Sequence, residues 1–173
     1  IVDIPGMTVN RYCASGLETI SIAAAKIQTG MADCIIAGGA ESMSYIPMGG
    51  YKPVPDYKLA KEGHEDYYWN MGLTAEAVAK KYNVSREDQD EFAYTSQMRA
   101  LKAQDENRFQ DQIVPIEVEH TFVNDSGKKV TEKYTVKKDE GPRKGTNIEA
   151  LSKLRPVFAQ GGSVTAGNSS QMS

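Results

Sequence analysis

The sequence predicts an α/β fold from two local patterns near its start. Residues 1–9 have extended character, and residues 14–28 place apolar side chains at helical spacing. A short apolar run over residues 33–37 follows before Gly38, as expected for a buried parallel strand. Strand, helix and strand in this order form a βαβ unit. We expect Cys34, within the second strand, to be a small buried apolar side chain rather than a catalytic one.

Cys13 is the candidate nucleophile because it directly precedes the predicted helix. That helix is apolar or small nearly all round, so we expect it to be buried, with Gly30 at its C-terminal end. The free N–H groups and positive dipole at a helix N-terminus favour an anion. A thiolate is stabilised in such a setting, although a buried structural cysteine is also common there.

Residues 43–69 are predicted to form an irregular loop. Prolines and glycines interrupt regular structure, and five tyrosines and the single tryptophan give the loop a high aromatic share. Two interpretations stay open. The rings form a long functional loop, or they pack the loop onto the core.

Two helices follow the loop. Thr74 is expected to cap a helix over residues 75–82 that ends at Asn83, and Ser85 with Asp88 forms a capping box for the next helix. The predicted buried face of that second helix consists of Phe92, Ala93, Ser96, Ala100 and Ala103.

The last third of the chain predicts a β-hairpin and two short elements. Alternating apolar residues over 113–119 and 131–136 flank a turn at 124–127. A short helix is expected over residues 148–154, then a strand over 161–166 and a turn over 167–170. Helices followed by a hairpin are of the α+β type, after the α/β start of the chain.

Composition excludes several classes of protein. The chain has 173 residues, 40% of them hydrophobic and 25% charged, and its net charge is -3, which argues against general nucleic-acid binding. No apolar run has the length of a membrane span. Two cysteines and two histidines, scattered singly, give neither a disulfide framework nor metal-ligand spacing. We also expect a fragment, because the chain starts with Ile and stops within a structured segment.

The sequence resembles the thiolases along nearly its whole length. The matching motifs, in family order, are Asn10-Arg11-Tyr12-Cys13-Ala14-Ser15-Gly16, Gly38-Gly39-Ala40-Glu41-Ser42-Met43-Ser44, Met71-Gly72-Leu73-Thr74-Ala75-Glu76, Ser85-Arg86-Glu87-Asp88-Gln89-Asp90, Asp139-Glu140-Gly141-Pro142-Arg143, Leu154-Arg155-Pro156-Val157-Phe158 and Val164-Thr165-Ala166-Gly167-Asn168-Ser169-Ser170. The residues of these motifs are most similar to those of the degradative acetyl-CoA acyltransferases of fatty-acid β-oxidation. Those of the biosynthetic acetyl-CoA acetyltransferases are the next most similar.

The resemblance implies a thiolase-like fold of two similar halves, of which this chain holds part of the first. Residues 1–43 would belong to the N-terminal domain core, and residues 44–169 to an inserted loop domain that covers coenzyme A and helps tetramers form. Residues 170–173 would return to the core. The full-length protein would be a homodimer or homotetramer, in the cytoplasm if bacterial, or in a mitochondrion or peroxisome.

The resemblance also implies a chemistry. Cys13 would take the acyl group from a 3-ketoacyl-CoA and pass it to coenzyme A, with its backbone N–H in an oxyanion hole. Arg143, Ser170 and Met71 would contact coenzyme A, which is a substrate, and no metal or tightly bound cofactor is expected. From the residues alone, the favoured explanations of these three are a loop charge, a turn residue and a core residue.

The chain departs from the family in two motifs. Thiolases also carry a Gly-His-Pro and a Cys-x-Gly-Gly-Gly motif late in the chain, and neither occurs here; His64 and His120 do not substitute for them. We therefore expect the fragment alone to be inactive. The alternatives are a biosynthetic acetyltransferase, a non-catalytic coenzyme A or lipid-binding module, and a decarboxylating ketoacyl synthase, which the motifs at residues 71–76 disfavour.

Overall fold

The computed structural model describes residues 3–171. The chain divides into two compact units, residues 3–56 and Tyr57–Gln171. Each unit is described by itself. The domain limits predicted above, at residues 43 and 169, remain predictions.

Helix α1, Ser15–Gln28, is the single helix of the first unit within residues 3–56. Gly30 follows it with φ 70°, and the N–H groups of Gly30 and Met31 donate to the carbonyls of Ile27 and Lys26 at 3.1 and 2.9 Å. This is a Schellman motif, in which a left-handed glycine lets two otherwise unpaired carbonyls be satisfied. The predicted helix and its glycine end are confirmed.

The strands predicted on either side of α1 are wrong for the described residues. Residues 3–9 and 33–37 are irregular, and residues 1 and 2 of the first predicted strand lie outside the described part. A strand needs a neighbouring strand to pair its backbone groups, and residues 3–56 contain none. Cys34 is consequently exposed rather than buried, and Ile36 is 96% exposed.

Burial of α1 is also less than predicted. Ala23 is its one buried residue, whereas Leu17, Ile20 and Ile27 are exposed. No second helix or strand lies in residues 3–56 to cover this apolar surface. The apolar pattern of α1 therefore predicts a buried helix, whereas the first unit by itself does not bury it.

The second unit, Tyr57–Gln171, carries the remaining elements. They are α2 (Tyr57–Lys61), α3 (Met71–Tyr82), α4 (Arg86–Asp105), β1 (Ile116–Val123), β2 (Lys129–Val136) and α5 (Ile148–Ser152), with short 3-10 helices at Glu65–Tyr68 and Gln110–Gln112. The predicted aromatic loop thus contains two short helices. Most of its rings are exposed, including Tyr45, Tyr51, Tyr57 and Tyr67, which does not support their packing onto a core.

Helix α3 begins four residues earlier than predicted. Its N-cap is Asn70, whose Oδ1 accepts the N–H of Leu73 at 2.9 Å, and Thr74 lies inside the helix. Asparagine satisfies a free N–H at a helix start as well as threonine does, so residue type alone does not decide between Asn70 and Thr74 as the N-cap. Asn83 ends the helix in the left-handed conformation, φ 53°, as predicted.

Helix α4 has the predicted capping box but not the predicted buried face. The Ser85 hydroxyl accepts the N–H of Asp88 at 3.0 Å, and the Asp88 carboxylate accepts the N–H of Ser85 at 3.3 Å. Phe92 is 78% exposed and Ser96 is exposed, while Ala93, Ala100 and Ala103 are half-buried. The one buried residue of the helix is Asp90, a charged side chain that apolar periodicity does not detect.

The predicted hairpin is confirmed, but β1 begins at Ile116, three residues later than predicted, and both strands extend further toward the turn. Strands β1 and β2 pair antiparallel from Ile116 opposite Val136 to Val123 opposite Lys129. The Asn124 side chain closes the turn by accepting the N–H groups of Ser126 and Lys128 at 3.1 and 3.0 Å. Among residues 3–171 this hairpin is the only sheet.

The core of the second unit lies where α3, α4 and α5 meet the segment 157–170. Ala79, Leu151 and Val164 are its buried apolar side chains, and Thr165 is fully buried. The strand predicted over residues 161–166 is wrong, because the N–H groups of Ser163 and Val164 bind the Glu76 carboxylate instead of a neighbouring strand. The turn predicted over residues 167–170 is confirmed in its first part, at Gly167 and Asn168.

Candidate functional site

Cys13 lies between a strained turn at Tyr12 and Ala14, the N-cap residue of α1. The preceding residue, Tyr12, has φ 50°, a left-handed conformation that is uncommon for a bulky side chain. The N–H of Ala14 donates to the Arg11 carbonyl at 3.1 Å, and the N–H of Ser15 donates to the Tyr12 carbonyl at 3.0 Å. The backbone therefore folds tightly around the cysteine and enters the helix directly after it.

Side chains on both flanks hold this turn. The Ser15 hydroxyl accepts the Arg11 N–H at 2.8 Å and donates to the Tyr12 carbonyl at 2.7 Å. Asn10 Oδ1 accepts the Tyr12 N–H at 2.9 Å, and the Arg11 guanidinium pairs with the Glu18 carboxylate. Strained residues persist where surrounding bonds over-determine them, often at functional sites.

The thiol of Cys13 is exposed. A reagent can reach it, and it lies at the end of a 14-residue helix whose first N–H groups and dipole favour an anion. This arrangement can support a thiolate nucleophile. That Cys13 is the catalytic residue stays a prediction at this point.

Arg143 follows a loop that is fastened to α4. Its backbone N–H donates to Oε1 of Gln97 at 2.9 Å, and Gln104 Nε2 donates to the Asp139 carbonyl at 3.0 Å. The Arg143 side chain is exposed. The loop position is thus fixed by two glutamines on one helix.

Ser170 is near the same loop. It is exposed, and its neighbour Gln171 packs so closely on Gly141 that a Cβ there would come closer than 3.0 Å to the Gln171 side chain. Met71, by contrast, begins α3 and is 65% exposed, so it is not a core residue. Arg143 and Ser170 thus lie on neighbouring loop segments, and Met71 lies at the start of α3. Cys13 belongs to the first unit.

A cleft of about 500 Å³ opens beside Arg143. Its walls come from the end of α4, from β2 and from the loop that follows. They include Leu101, Tyr134, Pro142 and the ammonium-bearing Lys137, Lys138 and Lys144. The carboxylates of Asp139 and Glu140 line the same cleft, so three ammonium groups and two carboxylates surround the opening. Arg143 lies between Pro142 and Lys144 in sequence.

The segment before Ser170 is fixed by the carboxylate of Glu76, a residue to which the sequence motifs alone assigned no role. Glu76, in α3, accepts the Ser163 N–H at 3.0 Å and the Val164 N–H at 2.8 Å. Burial raises the pKa of the Glu76 carboxyl, but these two N–H groups and the Ser163 hydroxyl outweigh that effect and hold the pKa below its ordinary value of 4.5. The ionised form is therefore the one that the structure binds.

A second carboxylate, Asp90, is buried in the same region with 2% exposure. It accepts Arg86 Nε at 2.8 Å and Asn168 Nδ2 at 2.9 Å. The Asn168 side chain also accepts the Thr165 N–H at 2.7 Å and donates to the Ser163 carbonyl at 3.1 Å. The one sequence signal for this pair is the spacing of Arg86 and Asp90, four residues apart in a helix, whereas its burial depends on the tertiary fold.

Other kinds of site are not found in the described part of the chain. Residues 3–171 contain no group of three or more potential metal ligands among His, Cys, Asp and Glu. Both histidines are exposed, and the His120 ring stacks on Phe122 in β1 with ring centroids 5.2 Å apart. No helix in this range is long and apolar enough to cross a membrane.

The turn that presents an exposed cysteine at a helix N-terminus and the motifs around Glu76 and Asp90 define a class of protein. Residues 1–173 match the family model described as the thiolase, N-terminal domain. The chain belongs to the thiolase family, and the predicted resemblance and thiolase-like α/β fold are confirmed.

Three individual relatives are similar to the chain over nearly its whole length. The chain is 52% identical over 170 residues to the 3-ketoacyl-CoA thiolase of Bacillus subtilis (strain 168), covering 98% of the chain and 43% of that protein. It is 43% identical to the peroxisomal 3-ketoacyl-CoA thiolase A of Mus musculus, covering 98% and 39%. It is 41% identical to the acetyl-CoA acetyltransferase of Pseudomonas aeruginosa, covering 99% and 44%.

The fold has solved counterparts. The dimeric peroxisomal thiolase of Saccharomyces cerevisiae matches 94% of the chain and 39% of its own, with a TM-score of 0.72 and 37% identity. The acetyl-CoA acetyltransferase of Bacillus anthracis matches 94% and 41%, with a TM-score of 0.66 and 34% identity. The chain thus spans less than half the length of the relatives it matches.

Proposed function

We propose that the chain is the nucleophile-bearing part of a 3-ketoacyl-CoA thiolase acting in fatty-acid β-oxidation. The single observation that carries the proposal is Cys13, an exposed thiol held by a strained turn at a helix N-terminus within a thiolase N-terminal domain. Cys34 is exposed as well, so the strained turn at Tyr12 is what sets Cys13 apart.

The proposed reaction has two steps. The Cys13 thiolate adds to the C3 carbonyl of a 3-ketoacyl-CoA, the bond between C2 and C3 breaks, and its electron pair leaves on acetyl-CoA as an enolate that takes up a proton. The thiol of a second coenzyme A then gives up its proton and attacks the acyl-Cys13 thioester. The shortened acyl-CoA leaves and the Cys13 thiolate is regenerated.

Coenzyme A would be held by the second unit. Arg143 would face the nucleotide, Ser170 the pantetheine arm, and Met71 the tunnel. In the neighbouring cleft, the ammonium groups of Lys137, Lys138 and Lys144 would meet the phosphates, beside the carboxylates of Asp139 and Glu140 that also line it. Coenzyme A and its acyl thioesters are substrates in this proposal, and no metal or resident cofactor takes part.

The proton-transfer residues would lie outside the chain. Its sequence contains neither the Gly-His-Pro nor the Cys-x-Gly-Gly-Gly motif of the family, so the 173 residues alone are proposed to be inactive in turnover. The full-length protein would assemble as a homodimer or homotetramer, which the dimeric yeast neighbour supports. Bacterial and peroxisomal relatives favour the cytoplasm or a peroxisome, and a mitochondrion fits as well.

A biosynthetic acetyl-CoA acetyltransferase is the second candidate, because the relative from Pseudomonas aeruginosa bears that name at 41% identity. It would use the same Cys13 to condense two acetyl-CoA molecules into acetoacetyl-CoA. The higher identity, 52%, to a 3-ketoacyl-CoA thiolase favours the degradative assignment. The acyl chain length of the substrate separates the two candidates, since a degradative enzyme cleaves medium and long 3-ketoacyl-CoA as well as acetoacetyl-CoA.

The test uses the full-length protein with acetoacetyl-CoA, a longer 3-ketoacyl-CoA and coenzyme A. The wild type is compared with Cys13→Ala and with Cys34→Ala, a matched control because both thiols are exposed. We expect Cys13→Ala to abolish cleavage and Cys34→Ala to retain it. Equal turnover by Cys13→Ala and wild type would refute the assigned role, and coenzyme A binding without any turnover would indicate a binding module.

A further inference from the structure

Asp90 lies at the centre of a buried polar network that ends two residues from Ser170. The network consists of Arg86, Asp90, Thr165 and Asn168, linked by side-chain hydrogen bonds. Its members come from α4 and from the segment before Ser170, 78 residues apart in sequence at the Asp90–Asn168 bond. A network of this kind fixes backbone geometry when every member is satisfied.

The first step from Asp90 to Ser170 runs through the Asn168 amide. Asp90 Oδ1 accepts Nδ2 of Asn168, which orients the amide so that its Oδ1 faces the Thr165 N–H at 2.7 Å. The same Nδ2 donates to the Ser163 carbonyl at 3.1 Å. The Asn168 side chain therefore bridges both ends of the turn from inside.

The second step is the turn itself. The hydroxyl of Thr165, which is fully buried, accepts the N–H groups of Gly167 and Asn168 at 3.1 and 3.3 Å. The Ser169 hydroxyl donates to the Thr165 carbonyl. The backbone is thus tied at Thr165, Gly167 and Asn168, and the exposed Ser170 follows two residues after the last of them.

Asp90 is in turn held from the other side. Arg86 Nε donates to its Oδ2 at 2.8 Å, and Arg86 Nη2 donates to the carbonyls of Leu151 and Leu154 at 2.7 and 3.1 Å. Both oxygens of the carboxylate are used, and the side chain is 3% exposed. The charge is therefore paired and cannot move without breaking contacts to α5 and the residues after it.

We propose that Asp90 is a positioning residue for coenzyme A: through Asn168 it sets the turn that presents Ser170 to the pantetheine arm. This inference rests on the function proposed above for Ser170. Asp90 itself touches no substrate. Without its charge the Asn168 amide loses its fixed orientation, the turn relaxes, and Ser170 is displaced from the ligand, since displacements of a positioning group by about 1 Å are enough to weaken a bound geometry.

The experiment uses the full-length protein and compares Asp90→Asn, Thr165→Val and Ser170→Ala. We expect each to raise the KM for coenzyme A by up to about tenfold, the cost of one hydrogen bond, with a smaller change in kcat. Thr165→Ser, which restores the hydroxyl, returns the KM toward that of the wild type. The double variant Asp90→Asn with Ser170→Ala should be no worse than the worse single variant, because both act through one contact.

A matched control separates positioning from loss of stability. Asn124 closes the hairpin turn by accepting two backbone N–H groups, as the network does, but it lies in a different turn. Asn124→Ala should lower the melting temperature and leave the KM for coenzyme A unchanged. A KM that follows melting temperature across all variants, or additive effects in the double variant, overturns the proposal.

The outcomes also distinguish this inference from the proposed function. If wild type and Cys13→Ala turn over equally, the thiolase assignment fails. If Cys13→Ala is inactive while Asp90→Asn and Thr165→Val keep the wild-type KM, only the positioning role of Asp90 fails. Should Asp90→Asn not fold, Thr165→Val alone decides, because it removes one hydroxyl and no charge.

Discussion

The carboxylate of Glu76 binds the backbone of Ser163 across 87 residues of sequence. Both of its oxygens accept the Ser163 N–H at 3.0 Å, and one also accepts the Val164 N–H at 2.8 Å. A side chain in α3 therefore takes the place of the neighbouring strand that this segment would otherwise need. Gly162 permits the approach, since a Cβ there would come closer than 3.0 Å to the same carboxylate.

Replacing Glu76 by Gln should destabilise the second unit by about 2 kcal/mol at neutral pH, the usual value of a hydrogen bond to a charged group. The amide retains one acceptor but turns an N–H₂ donor toward backbone N–H groups that are themselves donors. Urea unfolding followed by the fluorescence of the single tryptophan, Trp69, measures the effect within that unit.

The loss should depend on pH in a defined direction. The pKa of Glu76 is lowered in the folded state, so its stabilising contribution is complete above the unfolded-state pKa of 4.5 and disappears as pH falls through the folded pKa. The difference in unfolding free energy between wild type and Glu76→Gln should shrink below pH 4.5. Glu119→Gln, which breaks an exposed pair with Lys133, is the control and should cost only about 0.5 kcal/mol. A difference that stays constant between pH 7 and 3 would contradict the role of the ionised carboxylate.

The start of α3 provides a second prediction. Asn70→Ala removes the acceptor of the Leu73 N–H and should destabilise the second unit by about 1 kcal/mol, whereas Asn70→Ser should retain most of the stability. Thr74→Ala should change the unfolding free energy by less than about 0.5 kcal/mol, because Thr74 lies within the helix rather than at its cap. A larger loss in Thr74→Ala than in Asn70→Ala would restore the cap predicted from the sequence.

Local rules predicted the local features of the fold. The capping box of Ser85 and Asp88, the left-handed end at Asn83 and the hairpin turn at Asn124 all depend on residues within four positions of each other. Such contacts are specified by side-chain chemistry and spacing alone. The helix before Gly30 was predictable for the same reason.

The buried charges were not predictable in this way. Asp90 is the buried residue of α4 because Asn168 and Arg86 converge on it, and the sequence pattern assigned it no buried position. Phe92 shows the reverse, an apolar residue predicted as core that the fold leaves 78% exposed. Burial depends on which distant segment packs against a helix, and periodicity contains no information on that partner.

The strain at Tyr12 predicts how the turn influences Cys13. Tyr12→Gly and Tyr12→Asn accept φ 50° readily and should leave the reactivity of Cys13 intact, while the β-branched Tyr12→Val should not maintain this conformation. If the turn places the thiol at the dipole of α1, its alkylation by iodoacetamide should slow by about two- to fivefold in Tyr12→Val.

That measurement needs a Cys34→Ser background, because Cys34 is exposed and would react as well. Circular dichroism checks that α1 is retained in each variant. Equal alkylation rates in Tyr12→Val and Tyr12→Gly would show that the left-handed turn has no influence on the thiol.

Two glycines at the same helical position lead to opposite predictions. Gly16 and Gly72 are each the second residue of a helix, α1 and α3. Helix propensity alone predicts that Gly→Ala stabilises at both positions by up to about 1 kcal/mol. A Cβ on Gly16 has nothing within 4 Å, whereas a Cβ on Gly72 would come closer than 3.0 Å to the Phe158 ring.

Packing should therefore reverse the sign at Gly72. Gly72→Ala is expected to destabilise the second unit, since overpacking costs about 1–3 kcal/mol and exceeds the gain in propensity. Gly16→Ala places its Cβ in open space and should raise the melting temperature of α1. Circular dichroism at increasing temperature measures this change. Removing the ring in a Phe158→Ala background should abolish the penalty at Gly72. If Gly72→Ala is as stabilising as Gly16→Ala, then the ring yields without cost, and the contact with Phe158 does not constrain the start of α3 beside Met71.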